Sequence, residues 1–241
     1  MIDSKRPYAL SIAGLDPTGG AGILADIKTF EQLAVQGFGV ASAITYQTEE
    51  RYFGQDWVDL EKIIFQIDPL LKRYPIKFIK IGLIENFKVL DKLLQYLRSK
   101  GDFYIVWDTI LSTSSGINFH DNMTEVSQVL SEMDLVTPNV PEAVKLFGTS
   151  NAEKLAYEDV AILLKGGHDN FHDILIEEHG LTEFEGEAIE WKKHGTGCVL
   201  SAAIVGELAK GQDLKKACEK AKKYVENRMN SNSSLLAFHK D

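Results

Sequence analysis

Tyr8-Ala9-Leu10-Ser11-Ile12-Ala13 runs into Gly14-Leu15-Asp16-Pro17-Thr18-Gly19-Gly20-Ala21-Gly22, and helical spacing follows over residues 21–34. A short apolar run ended by a glycine-rich turn reads as a buried strand. Ile23, Ile27, Phe30 and Ala34 recur on one face of the helix behind it. A strand that passes through glycines into a helix is the opening unit of an α/β fold. The glycines either let the backbone meet a ligand closely or simply serve a turn that needs positive φ. Their spacing is not that of a dinucleotide-binding loop, and no phosphate loop ending in Gly-Lys-Ser/Thr occurs in the chain.

The same alternation continues outward. Strands are expected at residues 39–46, 78–81, 104–107 and 135–137, and helices at 60–72, 86–100 with Asn86 as N-cap, and 122–131. Pro141 suits the first turn of a further helix. Residues 160–165, 173–178, 181–185 and 188–191 read as four strands in quick succession, and two helices at 197–210 and 213–229 finish the chain. Such alternation predicts a mostly parallel central sheet with helices on both faces, and the closely spaced late strands predict an antiparallel edge. The 241 residues suit a single α/β domain over 1–241, with ligands at the carboxyl ends of the strands. Ser112-Thr113-Ser114-Ser115-Gly116 is the candidate mobile flap.

With 26 basic and 35 acidic side chains the net charge is −9, and no basic tract marks a nucleic-acid partner. No run approaches the roughly 20 apolar residues that span a bilayer. The polar start shows no signal peptide, and two cysteines without a disulfide framework fit a reducing compartment, so a cytoplasmic protein is expected.

Chemistry gathers at His194-Gly195-Thr196-Gly197-Cys198, which opens a helix of small apolar residues. The free first-turn N–H groups and the positive end of the helix dipole suit an anion such as phosphate, and the same field is expected to lower the Cys198 thiol pKa. Asp26 falls at the edge of a buried stripe and needs a partner, either a salt bridge or a ligand. Gln47 has both a donor and an acceptor for a heteroaromatic edge. Asp108 ends a strand, and Asn139 and Glu142 stand three apart at a helix start. Together they offer oxygens to a hydrated Mg²⁺, although Glu142 equally suits the helix dipole. Lys165 lies at a strand end, where its charge can meet phosphate. His168 and His172 are four apart on a turn and make no zinc case. Cys218 shares a helical stripe with Leu214, Ala221 and Val225 and reads as core.

These motifs, with Ala25-Asp26-Ile27-Lys28-Thr29, Lys80-Ile81-Gly82, Thr137-Pro138-Asn139-Val140-Pro141-Glu142-Ala143 and Lys165-Gly166-Gly167-His168, resemble in content and order those of the hydroxymethylpyrimidine/phosphomethylpyrimidine kinases of thiamine biosynthesis. That resemblance implies a ribokinase-like three-layer sandwich and a homodimer. It implies phosphorylation of 4-amino-5-hydroxymethyl-2-methylpyrimidine and of its monophosphate, with ATP and Mg²⁺. It would place Gly14, Asp26, Gln47, Leu83 and Ile110 around the pyrimidine, with Leu83 where the family often has methionine. Asn139 and Glu142 would organise Mg²⁺ near Asp108, and Lys165 would face the nucleotide phosphates. Gly195, Thr196, Gly197 and Cys198 would form the anion hole, Cys198 activating the substrate hydroxyl. Ser114 replaces the usual flap lysine. Lys193 replaces a common threonine and is expected to add charge near the transfer site, and the stretch between Phe147 and Val160 is short for the helix most members carry there. Two other activities fit the same residues: a pyridoxal kinase, and a catalytically silent ligand-binding regulator.

Overall fold

The computed structural model describes residues 5–111, 126–155, 160–166, 172–186 and 191–240. Among them nine strands form one sheet in the order β3-β2-β1-β4-β5-β6-β7-β8-β9. They are β1 (Tyr8–Leu15), β2 (Gln36–Gln47), β3 (Tyr52–Trp57), β4 (Phe78–Ile81), β5 (Tyr104–Trp107), β6 (Leu135–Val136), β7 (Ala161–Lys165), β8 (Asp173–Glu177) and β9 (Gly180–Phe184). The helices are α1 (Gly22–Gln32), α2 (Leu60–Arg73), α3 (Phe87–Lys100), α4 (Val126–Leu130), α5 (Val140–Phe147), α6 (Thr196–Ala209) and α7 (Leu214–Met229).

Strands β2, β1, β4, β5, β6 and β7 run parallel. The expected antiparallel edge is present as β7–β8–β9. A second one, β3 against β2, was not foreseen, because Gly54 and Asp56 break up the apolar alternation of a half-exposed edge. The predicted strand at 188–191 and helix at 122–131 lie partly outside the described residues, and the flap at 112–116 lies wholly outside them.

Alternation along the central strands sends side chains to two cores. Leu10, Ile12, Ile105, Trp107, Ile162 and Leu164 pack with α2, α3, α4 and α5. Ala9, Val106 and Leu163 pack with α1, α6 and α7. Helix α6 is buried from Cys198 to Leu208, between the sheet, α1 and α7, which is why its sequence has no polar face. Gly206 allows the approach of α1: a Cβ there would sit 2.8 Å from Leu33 Cδ1. Helix α1 ends earlier than its apolar stripe suggested. Ala34 is exposed at φ +58°, and Val35 takes the core position instead. Helix α3 starts where expected, with Asn86 Oδ1 accepting from Val89 N at 2.9 Å.

Strand β1 leads through α1 to β2 on one side, while β4 lies on its other side. Loops leaving β1 and β4 therefore diverge, which opens a crevice at the carboxyl ends of these strands.

Candidate active site

The two glycine-rich turns meet across that crevice. Gly195, the N-cap of α6, adopts φ +76°, and a Cβ on it would lie 2.0 Å from Gly20 O. Gly22, at φ +58°, approaches Gly14 O as closely, at 2.1 Å for the same hypothetical atom. Only glycine satisfies both the left-handed backbone and the contact at these positions. No side chain caps α6, and residues 194–197 are half-buried rather than enclosed, which leaves its first-turn amides without a capping side chain. Asp16 joins the turns. Its carboxylate accepts from Thr18 N, Thr18 Oγ1 and Ala21 N and meets His194 Nε2 at 2.9 Å. Burial alone would raise its pKa, but these hydrogen bonds outweigh burial and hold it below the usual value.

Beside the turn, Lys165 Nζ lies 3.2 Å from Asp108 Oδ1, and a Cβ on Gly197 would be 3.3 Å from the same ammonium. Thr137 Oγ1 approaches Asp108 Oδ1 at 3.4 Å, while Asp108 Oδ2 is buried with no hydrogen-bond partner among the described residues. Burial pushes Asp108 up, yet Lys165 and Lys80 bring it below its ordinary pKa; Lys165 is raised in turn by Asp108 and Glu142 against its own burial. The pair is charged. Asn139 adjoins Lys165 through a single parallel bridge. Asn139 Oδ1 accepts from Glu142 N, and Glu142 Oε2 accepts from Asn139 N and Thr109 Oγ1, a reciprocal cap of α5. Both residues expected to organise Mg²⁺ are thus engaged at the helix start, and burial raises the Glu142 pKa. No cluster of three or more His, Cys, Asp or Glu among the described residues is placed to hold a metal. The orphaned Asp108 Oδ2 nevertheless fits a Mg²⁺ that keeps its waters and takes few protein oxygens.

At the neighbouring strand ends, a Cβ on Gly14 would sit 3.0 Å from Leu83 Cδ2 and 3.5 Å from Thr45 Cγ2, and Gln47 Nε2 donates to Thr45 Oγ1 at 3.0 Å. Ile110 follows β5, its N–H donating to Asp108 O at 2.7 Å. Gly14, Gln47, Leu83 and Ile110 therefore stand at or just beyond the carboxyl ends of β1, β2, β4 and β5. Gly22 links the groups, because its Cβ direction points at Gly14 O while its backbone faces the Cys198 thiol.

Three expectations need correction. Asp26 does not face a ligand: it is fully buried, with Oδ1 on Lys80 Nζ and Oδ2 accepting from Ser11 Oγ, each at 2.5 Å. The salt bridge is the outcome of the two left open. Burial would favour a neutral Lys80, but Asp26 reverses this and raises its pKa. Lys80 Nζ also donates to Cys198 O at 3.3 Å, so the ion pair is tied to the first turn of α6. Second, the Cys198 thiol is not lowered by the helix terminus. Burial pushes it up to about 12, with Asp108 and Asp26 adding to the rise against Lys80. Third, the Lys193 ammonium is not a free charge: it is buried and donates to the carbonyls of Asn232 and Ser234.

Sequence reasoning missed Asp16, Lys80 and Thr109 as parts of this site. Asp16 carried a signal, an acid followed by Thr18 and free amides in a glycine turn, where short-range hydrogen bonding is common. Lys80, in the middle of an apolar strand, was the other. Cys218 is core, as read. His168 lies outside the described residues. A separate concavity of about 690 Å³ against Tyr104, Glu177 and Leu181 contains none of the predicted site residues.

A mostly parallel sheet between helical layers, with an uncapped helix terminus and a lysine–aspartate pair at the carboxyl ends of its strands, is the fold of the ribokinase-like kinases. The sequence pattern of the phosphomethylpyrimidine kinase family matches residues 16–240, and the chain belongs to that family. A hydroxymethylpyrimidine/phosphomethylpyrimidine kinase from Staphylococcus aureus (strain MRSA252) is 34% identical, the match covering 92% of this chain and 87% of the relative. The crystal structure of phosphomethylpyrimidine kinase from Clostridium difficile 630 superposes with a TM-score of 0.77 at 26% identity, covering 91% of this chain and 98% of that one. Pyridoxal kinase from Staphylococcus aureus in complex with pyridoxal has the same fold, with a TM-score of 0.81, 24% identity and coverage of 93% and 88%.

Proposed function

We propose that this protein transfers the γ-phosphoryl group of ATP to the hydroxymethyl oxygen of 4-amino-5-hydroxymethyl-2-methylpyrimidine, and then to the phosphate of the resulting monophosphate. The observation that carries the reading is the convergence of Lys165 and Asp108 on Gly197, at the uncapped start of α6. In each transfer a bond forms between the acceptor oxygen and the γ-phosphorus, and the bond to the β-phosphate oxygen breaks, releasing ADP. Such transfers ask for positioning and charge neutralisation rather than covalent help. The amides of Thr196, Gly197 and Cys198 would receive the moving phosphoryl oxygens, and Lys165 would offset charge on the nucleotide. Asp108, with Asn139 and Glu142, would hold a hydrated Mg²⁺, which would supply further charge neutralisation. In the first transfer the hydroxyl proton would leave late in a loose transition state and pass to an oxygen of the transferred phosphoryl group, so a neutral Cys198 thiol would serve to orient the hydroxyl. Gly14, Gln47, Leu83 and Ile110 would line the ring pocket.

A homodimer belongs to this proposal, supported by exposed Ile44, Tyr46 and Phe53 on the β2–β3 ribbon. So does a cytoplasmic setting. Among the described residues no helix is long and apolar enough to cross a membrane.

The test is ADP release, coupled to a reporter, with the pyrimidine alcohol, its monophosphate, pyridoxal and a sugar as acceptors. Turnover with both pyrimidines is expected. Preference for pyridoxal would make the protein a pyridoxal kinase, and silence with every acceptor would leave a binding protein.

A further inference from the structure

Residues beyond α7 fold back onto the phosphate turn. His194 N donates to Leu235 O at 2.8 Å, and Lys193 Nζ donates to Ser234 O at 2.8 Å and to Asn232 O. The segment is internally braced. Asn232 Oδ1 accepts from Ser234 N at 2.9 Å, Asn232 Nδ2 donates to Leu236 O at 3.2 Å, and Phe238 N donates to Ser231 Oγ at 2.9 Å. Leu236 also closes over the first glycine turn, its Cδ2 lying 2.7 Å from where a Cβ on Gly20 would stand. Lys193 is 8% exposed and has no carboxylate within ion-pair distance among the described residues. A buried ammonium so placed is costly unless its protons are taken up, and here two backbone carbonyls of the returning segment take them. Burial lowers its pKa accordingly.

We propose that Lys193 is a positioning residue: by gripping the carbonyls of Asn232 and Ser234 it fastens the returning segment to His194 N and so sets the backbone of the phosphate turn. Asp16 holds the His194 ring from one side, and the segment holds its main chain from the other. The clamp stands on geometry alone; its effect on turnover rests on the kinase reading given above.

The test combines Lys193→Met, Lys193→Gln, Lys193→Arg and a chain ending at Asn230, each examined by steady-state kinetics and by hydrogen exchange of the His194 amide. Small misplacements of reacting groups have large effects on rate, so Lys193→Met is expected to lower kcat about 10-fold with the KM for ATP within about twofold. Its His194 amide should exchange about 10-fold faster, with Lys193→Gln intermediate and Lys193→Arg near wild type. The shortened chain should show the same losses, and adding Lys193→Met to it should change nothing further. Wild-type exchange in Lys193→Met, additive losses, or unfolding of both the Met and Gln variants would overturn the proposal. If even the wild type phosphorylates nothing, the kinase reading falls, while exchange still judges the clamp.

Discussion

Cys198 shows how burial and a helix terminus compete at a single atom. The terminus offers positive potential, but the thiol is 7% exposed and shares its surroundings with two carboxylates, so its pKa rises to about 12. In the free protein, alkylation of Cys198 should therefore climb steadily between about pH 7 and pH 9 with no plateau near the ordinary thiol value of about 8.5. Mass spectrometry of the labelled peptide reads this, and a plateau would mean a stabilised thiolate. Through loss of the hydroxyl's orientation, Cys198→Ala should lower turnover about 100-fold while ATP binding, followed by calorimetry, stays nearly intact. Asp16 behaves oppositely. Its folded pKa lies below the ordinary 3.8, so the stability it contributes is complete above the unfolded-state value and drains as pH falls through it toward the folded one. Asp16→Asn should be less stable than wild type by a constant margin above about pH 5, and that margin should shrink below about pH 4. Denaturant midpoints across pH measure it.

At the level of elements, strands and helices with strong periodicity were legible from sequence. Strand β4 (Phe78–Ile81), strand β5 (Tyr104–Trp107) and the Asn86-capped α3 occupy the expected residues. The glycine turn that opens α6 was legible too, because glycines before an apolar helix carry a local meaning. What escaped was non-local. Strand β3 depends on its partner β2 rather than on its own residues, and whether Asp26 meets a ligand or Lys80 depends on a strand 54 residues away. At the start of α5, Glu142 was read either as a partner of the helix dipole or as part of a Mg²⁺ site, while the reciprocal cap it forms with Asn139 was not foreseen. Gly195→Ala tests the fitted turns directly. The left-handed backbone costs an alanine roughly 1–2 kcal/mol, and the methyl would also strike Gly20 O. Turnover should be nearly abolished and the melting temperature lowered. A variant that melts like wild type would show that the turns can part without penalty.

For the molecule as a whole, the buried Lys80–Asp26 pair ties β1, α1, β4 and α6 at one point through Ser11 and Cys198 O. Removing one partner of a buried pair leaves an uncompensated charge and costs about 3–5 kcal/mol. Lys80→Met should fall in that range by urea titration, and a loss under about 1 kcal/mol, the worth of an exposed pair, would show that the interior tolerates Asp26 alone. Lys80→Met paired with Asp26→Leu should recover much of the loss.

Asp16 and His194 stand 178 residues apart along the chain yet share one hydrogen bond. The proposed reaction centre is consequently a seam sewn between the turns that lead into the first and the penultimate helices of the chain rather than a product of any one segment. On slow heating, catalytic competence should vanish several degrees before the ellipticity of the helices does, since parting that seam needs only the outer stitches to loosen.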